Sequence, residues 1–157
     1  YIRVIIPLSN SKYLLFSAYK FKLKIINKKY IKMNFLVIDS SLNKICFFSK
    51  FNNKLYKKIH ESTKNNYDKF SVLLFSFFKE NNINLGKIDN LFINHGPGNF
   101  SGIRVSIATA KGLAITNKLD LYGFGPEDLK DRNYLNIIDL YKKGKLKKNL
   151  IKPHYLS

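Results

Sequence analysis

The sequence predicts an α/β layered fold: a three-stranded antiparallel ribbon feeding a parallel half-sheet, in the order β-β-β-α-β-α-β. Three observations carry this. A short β-branched apolar run, Asn34 to Asp39, reads as a buried strand. Two helical patterns separate the later strand runs, which makes those connections parallel crossovers. Between the fourth strand and the second helix lies His95-Gly96-Pro97-Gly98-Asn99-Phe100-Ser101-Gly102-Ile103-Arg104, with three glycines and a proline in seven residues. A backbone that turns sharply and approaches something closely needs that composition.

Taken in order, Asn34–Asp39 is the first strand, and Ser40, Ser41 and Asn43 mark a turn. Ile45 to Ser49 is the second strand, Asn52-Asn53 a hairpin signal, and Lys54 to His60 a more polar third strand. A helix follows, with Tyr67, Phe70, Leu73, Leu74, Phe77 and Phe78 at three- and four-residue spacing. Phe75 lies off that stripe, which fits either a second packing surface, such as a partner helix, or deep burial. Leu91 to Asn94 is the fourth strand. The next helix, Val105 to Ile115, is rich in small residues that permit close approach. Asp120 to Phe124 is a short fifth strand, closed by Gly125-Pro126. Beyond it, Arg132 to Tyr141 reads as a helix, Lys142 to Lys148 as a solvated lysine-rich tether, and Pro153 to Leu156 as an extended tail. The expected domain division is 1–32, a basic N-terminal extension; 33–125, the folded lobe; and 126–157, a reduced C-terminal helix and tail.

The formal net charge is +18, from 28 basic and 10 acidic residues. Such a charge fits a nucleic-acid surface. Yet the basic residues include only Arg3, Arg104 and Arg132 as arginines, amid abundant Lys, Asn, Ile and Phe. That mixture reads as a general coding bias toward Lys, Asn, Ile and Phe, with a selected basic patch as the alternative, since base- and phosphate-reading surfaces favour arginine forks. Eight of the basic residues and no acidic one lie in 1–32, so the other 125 residues carry +10. Met33 is the sole methionine, and two readings of 1–32 stand: sequence upstream of a start at Met33, or a basic arm that folds against a partner. Cys46 is the lone cysteine, which excludes an internal disulfide framework and a cysteine-rich metal site. No apolar stretch reaches the ~18 residues of a membrane span. The first twenty residues lack the uninterrupted core of a secretory signal. The expectation is a soluble cytoplasmic protein without membrane association.

Met33 to Asp39-Ser40-Ser41, then His60-Glu61, then Gly96 to Arg104, then Ala108-Thr109-Ala110-Lys111-Gly112-Leu113-Ala114 resemble the TsaB family. These are bacterial tRNA threonylcarbamoyladenosine biosynthesis proteins, formerly called glycoprotease-like. The family's loop reads Gly-Pro-Gly-Ser-Phe-Thr-Gly-Leu-Arg; Asn99, Ser101 and Ile103 are mild replacements here. The tail Lys152 to Ser157 is similar to the family's final Pro-Leu-Tyr-Leu-Arg. The resemblance covers residues 33–125 and the tail. It implies one lobe of the actin-like ATPase, ribonuclease-H-like fold, with a mixed five-stranded sheet, and a second lobe that is reduced or absent.

The resemblance also implies a non-catalytic scaffold or activator subunit that pairs with a TsaD-like catalytic subunit and a TsaE-like ATPase. Such a subunit reaches tRNA indirectly, through the complex. A homodimer is compatible with it. No cofactor is expected on this chain alone, with ATP, ADP and Mg²⁺ belonging to the complex. His60, His95 and His154 are far apart and make no helical i, i+4 pair, so no metal site is expected, and the resemblance implies no catalytic residue. The residues expected to face a partner or a nucleotide are Gly96, Pro97, Gly98, Ser101, Gly102 and Arg104. Asp39, Ser40 and Ser41 are expected as a degenerate phosphate turn; the carboxylate either binds Mg²⁺ through water or makes turn hydrogen bonds. Tyr67, Phe70, Leu74, Phe78, Ala108 and Lys111 are expected on the partner helices. For the loop, partner contact and a helix start whose turn needs glycine are compatible readings. For Arg104, a fork to a carboxylate or phosphate stands against a solvated helix-start residue. Two alternative functions remain: an autonomous small actin-like ATPase, and a basic tRNA-binding module.

Overall fold

The computed structural model describes residues 32–129, 131, 133–148 and 151–155. The expectation for residues 1–31, an extension or arm, lies outside the described residues. Three long strands open the fold: β1 (Phe35–Leu42), β2 (Lys44–Phe51) and β3 (Lys54–Glu61). They pair antiparallel through tight hairpins. At the second hairpin Asn52 and Asn53 take positive φ angles of 50° and 61°. Asparagine tolerates that region better than most side chains. β4 (Asn90–Asn94) and β5 (Asp120–Phe124) continue the sheet parallel to β1.

The single expected helix at 67–78 is two: α1 (Lys64–Asp68) and α2 (Phe70–Glu80), broken at Lys69. Thr63 caps α1 by accepting from the Asn66 N–H. α3 (Phe100–Asn117) starts five residues earlier than the apolar pattern alone suggests. Asn99 begins it by accepting from the Ser101 N–H at 3.0 Å. Lys118, at φ 53°, ends it in a left-handed cap. After β5 the chain makes a 3₁₀ turn at Tyr134–Asn136 and a short helix, α4 (Ile137–Lys142), where one helix over 132–141 was expected.

The sheet has six strands, in the order β3-β2-β1-β4-β5-β6, where five were expected. The sixth, β6 (Lys147–Lys148), comes from the supposed tether and pairs antiparallel with β5. It gives the open edge of β5 hydrogen-bond partners. Lys148 secures it, with its ammonium 3.1 Å from Asp120 and 5.7 Å from the Tyr122 ring.

Alternation along the strands sends side chains to two different covers. On one face Leu36, Ile38, Ile45, Phe47, Leu91 and Ile93 pack with Phe70, Leu74 and Phe77 of α2 and Ile103, Ile107 and Ala110 of α3. On the other face the rings are aromatic. Phe35 meets Phe48 and Phe92; Tyr134 lies on Phe48 and Phe124; Tyr141 lies on Phe92 and Tyr122. The segment after β5 therefore roofs this second face.

Phe47 is fully buried and meets Phe70 edge-on at 5.4 Å. Phe47→Ala is expected to cost about 3–5 kcal/mol in urea denaturation. Phe75→Ala, at a side chain 52% exposed, is expected to cost a small fraction of that.

Candidate functional site

The glycine loop is a junction in which each glycine makes room for a different part of the chain. Gly96 has φ +106°, and a Cβ there would collide with the His154 carbonyl. The tail passes at that point: the His154 N–H donates to the His95 carbonyl at 2.8 Å, and Tyr155 bridges to Gly98. A Cβ on Gly98 would lie 2.8 Å from the Ser41 Cα, and one on Gly102 would lie 2.8 Å from the Tyr67 Oη. The three glycines thus admit the C-terminal tail, the end of β1 and α1. All three are buried, and Pro97, behind a cis peptide bond, is half-buried.

Only part of this motif faces outward. Ser101 and Arg104 are exposed, and Phe100 is 53% exposed. The Phe100 ring lies 4.7 Å from Tyr155 of the tail, and the Arg104 guanidinium lies 4.8 Å from the Phe100 ring. The tail, the ring and the cation form one stack. Among the described residues the ion pairs are Lys58–Glu80 and Lys148–Asp120, so no carboxylate of these residues pairs with Arg104. Beside the stack runs a groove of about 380 Å³ lined by Arg104, Ile107, Ala108, Lys111, Pro153 and Tyr155.

The expected helix residues divide. Ala108 and Lys111 are exposed on α3. Phe70, Leu74 and Phe78 are core residues, at 1%, 0% and 5% exposure, because the helical stripe they form is the one that faces the sheet. Tyr67 is half-buried against Gly102 and its hydroxyl bonds to Ser62. The large apolar side chains that α2 shows to solvent are the offset pair Val72 and Phe75, at 63% and 52% exposure. On α3 the outward row is Arg104, Ala108, Lys111, Gly112 and Ile115, the last 78% exposed. Nothing lies within 4 Å of where a Cβ on Gly112 would stand.

Asp39, Ser40 and Ser41 are not a turn. β1 runs through them with a bulge before Leu42. All three are buried. The Asp39 Oδ1 accepts from the Ser41 N–H at 2.9 Å and from its hydroxyl at 2.7 Å. The Asn94 amide donates to the Ser41 Oγ at 3.0 Å, and the Asn94 Oδ1 accepts from the Gly96 N–H at 3.0 Å. The Asp39 Oδ2 accepts from the Tyr134 hydroxyl at 2.8 Å. Neither Asn94 nor Tyr134 was marked by the sequence pattern; Tyr134 carries no periodic signal, and its partner lies 95 residues away.

Cys46 is buried, and burial raises its thiol above the ordinary value, so it is not a poised thiolate. Among the described residues no three His, Cys, Asp or Glu side chains gather as metal ligands, and no helix is long and apolar enough to cross a membrane.

The chain is similar to known proteins in sequence and in fold. The family model described as TsaD, tRNA N6-adenosine threonylcarbamoyltransferase, matches residues 25–124. A curated relative, the tRNA threonylcarbamoyladenosine biosynthesis protein TsaB of Buchnera aphidicola subsp. Baizongia pistaciae (strain Bp), is 27% identical over 81 residues, covering 51% of this chain and 36% of its own. The solved structure of YeaZ from Pseudomonas aeruginosa aligns at a TM-score of 0.57 and 17% identity, over 71% of this chain and 50% of YeaZ. A second solved structure, an uncharacterized protein with similarity to peptidase YEAZ from Pseudomonas aeruginosa, aligns at 0.55 over 59% of this chain and 43% of its own. The fold is therefore the actin-like, ribonuclease-H-like lobe that the sequence led one to expect. The chain spans half the length of YeaZ or less of each of these relatives.

Two predictions follow from the loop. Gly96→Ala is expected to cost about 1–3 kcal/mol, because alanine is strained at that φ, and to release the tail, read as loss of amide protection at His154 and Tyr155. The second concerns His95, whose imidazole is held below its ordinary value of 6.5, first by burial and then by Lys147. The unfolded chain therefore binds this proton at a higher pH than the folded one. Stability is expected to fall as pH drops through about 6.5, and His95→Asn is expected to flatten that limb of a urea-midpoint profile.

Proposed function

The chain belongs to the TsaD, tRNA N6-adenosine threonylcarbamoyltransferase, family, and from that premise we propose that it is a TsaB-like, non-catalytic subunit of a tRNA threonylcarbamoyladenosine-synthesising assembly. In this reading it works in the cytoplasm, docks on a TsaD-like catalytic subunit alongside a TsaE-like ATPase, and meets tRNA through that assembly. The name of the Buchnera relative supports the pathway.

The observation that carries the docking role is the outer face of α2 and α3. Val72, Phe75 and Ile115 place apolar surface in water on two neighbouring helices, and Ala108 and Gly112 keep the backbone of α3 open to close approach. Exposed apolar side chains gathered on one face mark an interaction surface. Arg104 and Lys111 add cations at its border, where acidic groups of a partner helix would meet them. The proposed docking row is thus Val72 and Phe75 with Arg104, Ala108, Lys111, Gly112 and Ile115. The buried Phe70, Leu74 and Phe78 support it from beneath. Gly96, Pro97, Gly98 and Gly102 hold its near end, with Tyr67 behind them and Ser101 at its rim.

The non-catalytic role is supported on the other face of the sheet, where Asp39 is engaged by three donors and neither Ser40 nor Ser41 presents a free surface. The ATPase alternative needs that carboxylate available.

Gly112→Leu tests the docking row with little effect on the fold, since the added side chain enters open space and relieves a helical glycine. Mixed with the TsaD-like catalytic subunit, the wild-type chain is expected to give a heterodimer on gel filtration. Gly112→Leu and Phe75→Asp are each expected to weaken it at least about tenfold, a loss of ~1.4 kcal/mol, while the urea midpoint of Gly112→Leu stays at or above wild type. Separate monomers for the wild-type chain, or full binding by both variants, contradict the reading.

A further inference from the structure

The end of β1 in this fold class is where Mg²⁺ and nucleotide chemistry would be expected, and the residues present do not fit that group. Mg²⁺ takes near-octahedral oxygen ligands, with carboxylate lone pairs aimed at it. A carboxylate oxygen has two acceptor positions. Both positions of the Asp39 Oδ1 are taken by Ser41, and one of the two on the Oδ2 is taken by the Tyr134 hydroxyl at 2.8 Å. Asp39 is 6% exposed and Tyr134 is 7% exposed. The one acceptor position left on the Oδ2 is closed to water by burial, and the phenol is part of what buries it.

The phenol is firmly seated. Its ring lies 5.4 Å from Phe48 and 6.5 Å from Phe124, and the Lys57 ammonium sits 5.9 Å from its centroid. The hydroxyl stands between Asp39 on β1 and its register partner Cys46 on β2. Burial, then the charge of Asp39 and the thiol of Cys46, raises the phenol well above its ordinary value of 10, so at neutral pH it stays protonated and donates.

We propose that Tyr134 is an internal plug: this chain closes its own nucleotide-and-cation position by hydrogen-bonding the Tyr134 hydroxyl to Asp39, and the carboxylate serves as the anchor of the segment that roofs the aromatic face. Asp39 is then a positioning residue for 126–142. Nucleotide chemistry in any assembly containing this chain belongs to another subunit. The plug lies on the face of the sheet opposite α2 and α3, so its failure would leave the docking proposal standing, and the reverse.

A double-mutant cycle with Tyr134→Phe and Asp39→Asn tests it, because phenylalanine keeps the ring packing and asparagine keeps the shape. Tyr134→Phe is expected to lower the urea midpoint of the wild-type chain, and to lower that of the Asp39→Asn variant by less than half as much. Equal shifts in both backgrounds overturn the proposal. A second measurement uses the wild-type chain alone. Its melting temperature is expected to be unmoved by millimolar MgCl₂, with or without ATP. A rise with MgCl₂ that disappears in Asp39→Asn shows an open cation site and overturns the plug.

Discussion

A buried carboxylate is tolerable only when its charge is met by donors, and that requirement at Asp39 organises the rest of this molecule. Its two oxygens draw Ser41 out of strand register into a bulge, and draw Tyr134 down from the segment beyond β5. Ser41 in turn accepts from Asn94, and Asn94 accepts from the N–H of Gly96. One chain of hydrogen bonds therefore links β1, β4, the glycine loop and the roof of the aromatic face. Removing a member leaves a desolvated acceptor or donor without a partner, which costs more than the bond itself contributes.

The same network explains why the glycine loop is tight. The bulged Ser41 backbone occupies the space where a Gly98 side chain would go, and the tail occupies that of Gly96. The composition of the loop, three glycines and a proline, thus reflects internal crowding first. Its outward contribution is narrower: Phe100 and Arg104, held in place by Tyr155 from the tail. The sheet separates two kinds of surface. One side carries aliphatic packing beneath two helices whose outer faces are open; the other is aromatic and closed by the chain itself.

Much of this was legible in the sequence, for local reasons. The β-branched run of β1, the Asn-Asn hairpin and the small residues of α3 announce themselves over a few neighbouring positions. The stripe Phe70, Leu74, Phe77, Phe78 correctly announces burial, but a stripe does not say whether a sheet or a partner lies against it; here it is the sheet. Its complement, the offset Phe75, was the better pointer to the outside. Glycines announce a close approach without naming what approaches: the His154 carbonyl, the Ser41 Cα and the Tyr67 hydroxyl all arrive from distant positions. Tyr134 was illegible because a lone aromatic in a 3₁₀ turn has no period, and its meaning resides in a contact across the sheet. β6, two lysines, has no alternation to read and exists because β5 needs an edge partner.

The proposed division of labour between the two sides of the sheet is measured directly by amide hydrogen exchange of the full chain, alone and with a TsaD-like catalytic subunit. The expected result is strong protection of 137–141 in both samples, with new protection on binding confined to 71–79 and 104–116. New protection at 126–142 and the end of β1, with the two helices unchanged, would place the partner on the closed side and contradict it.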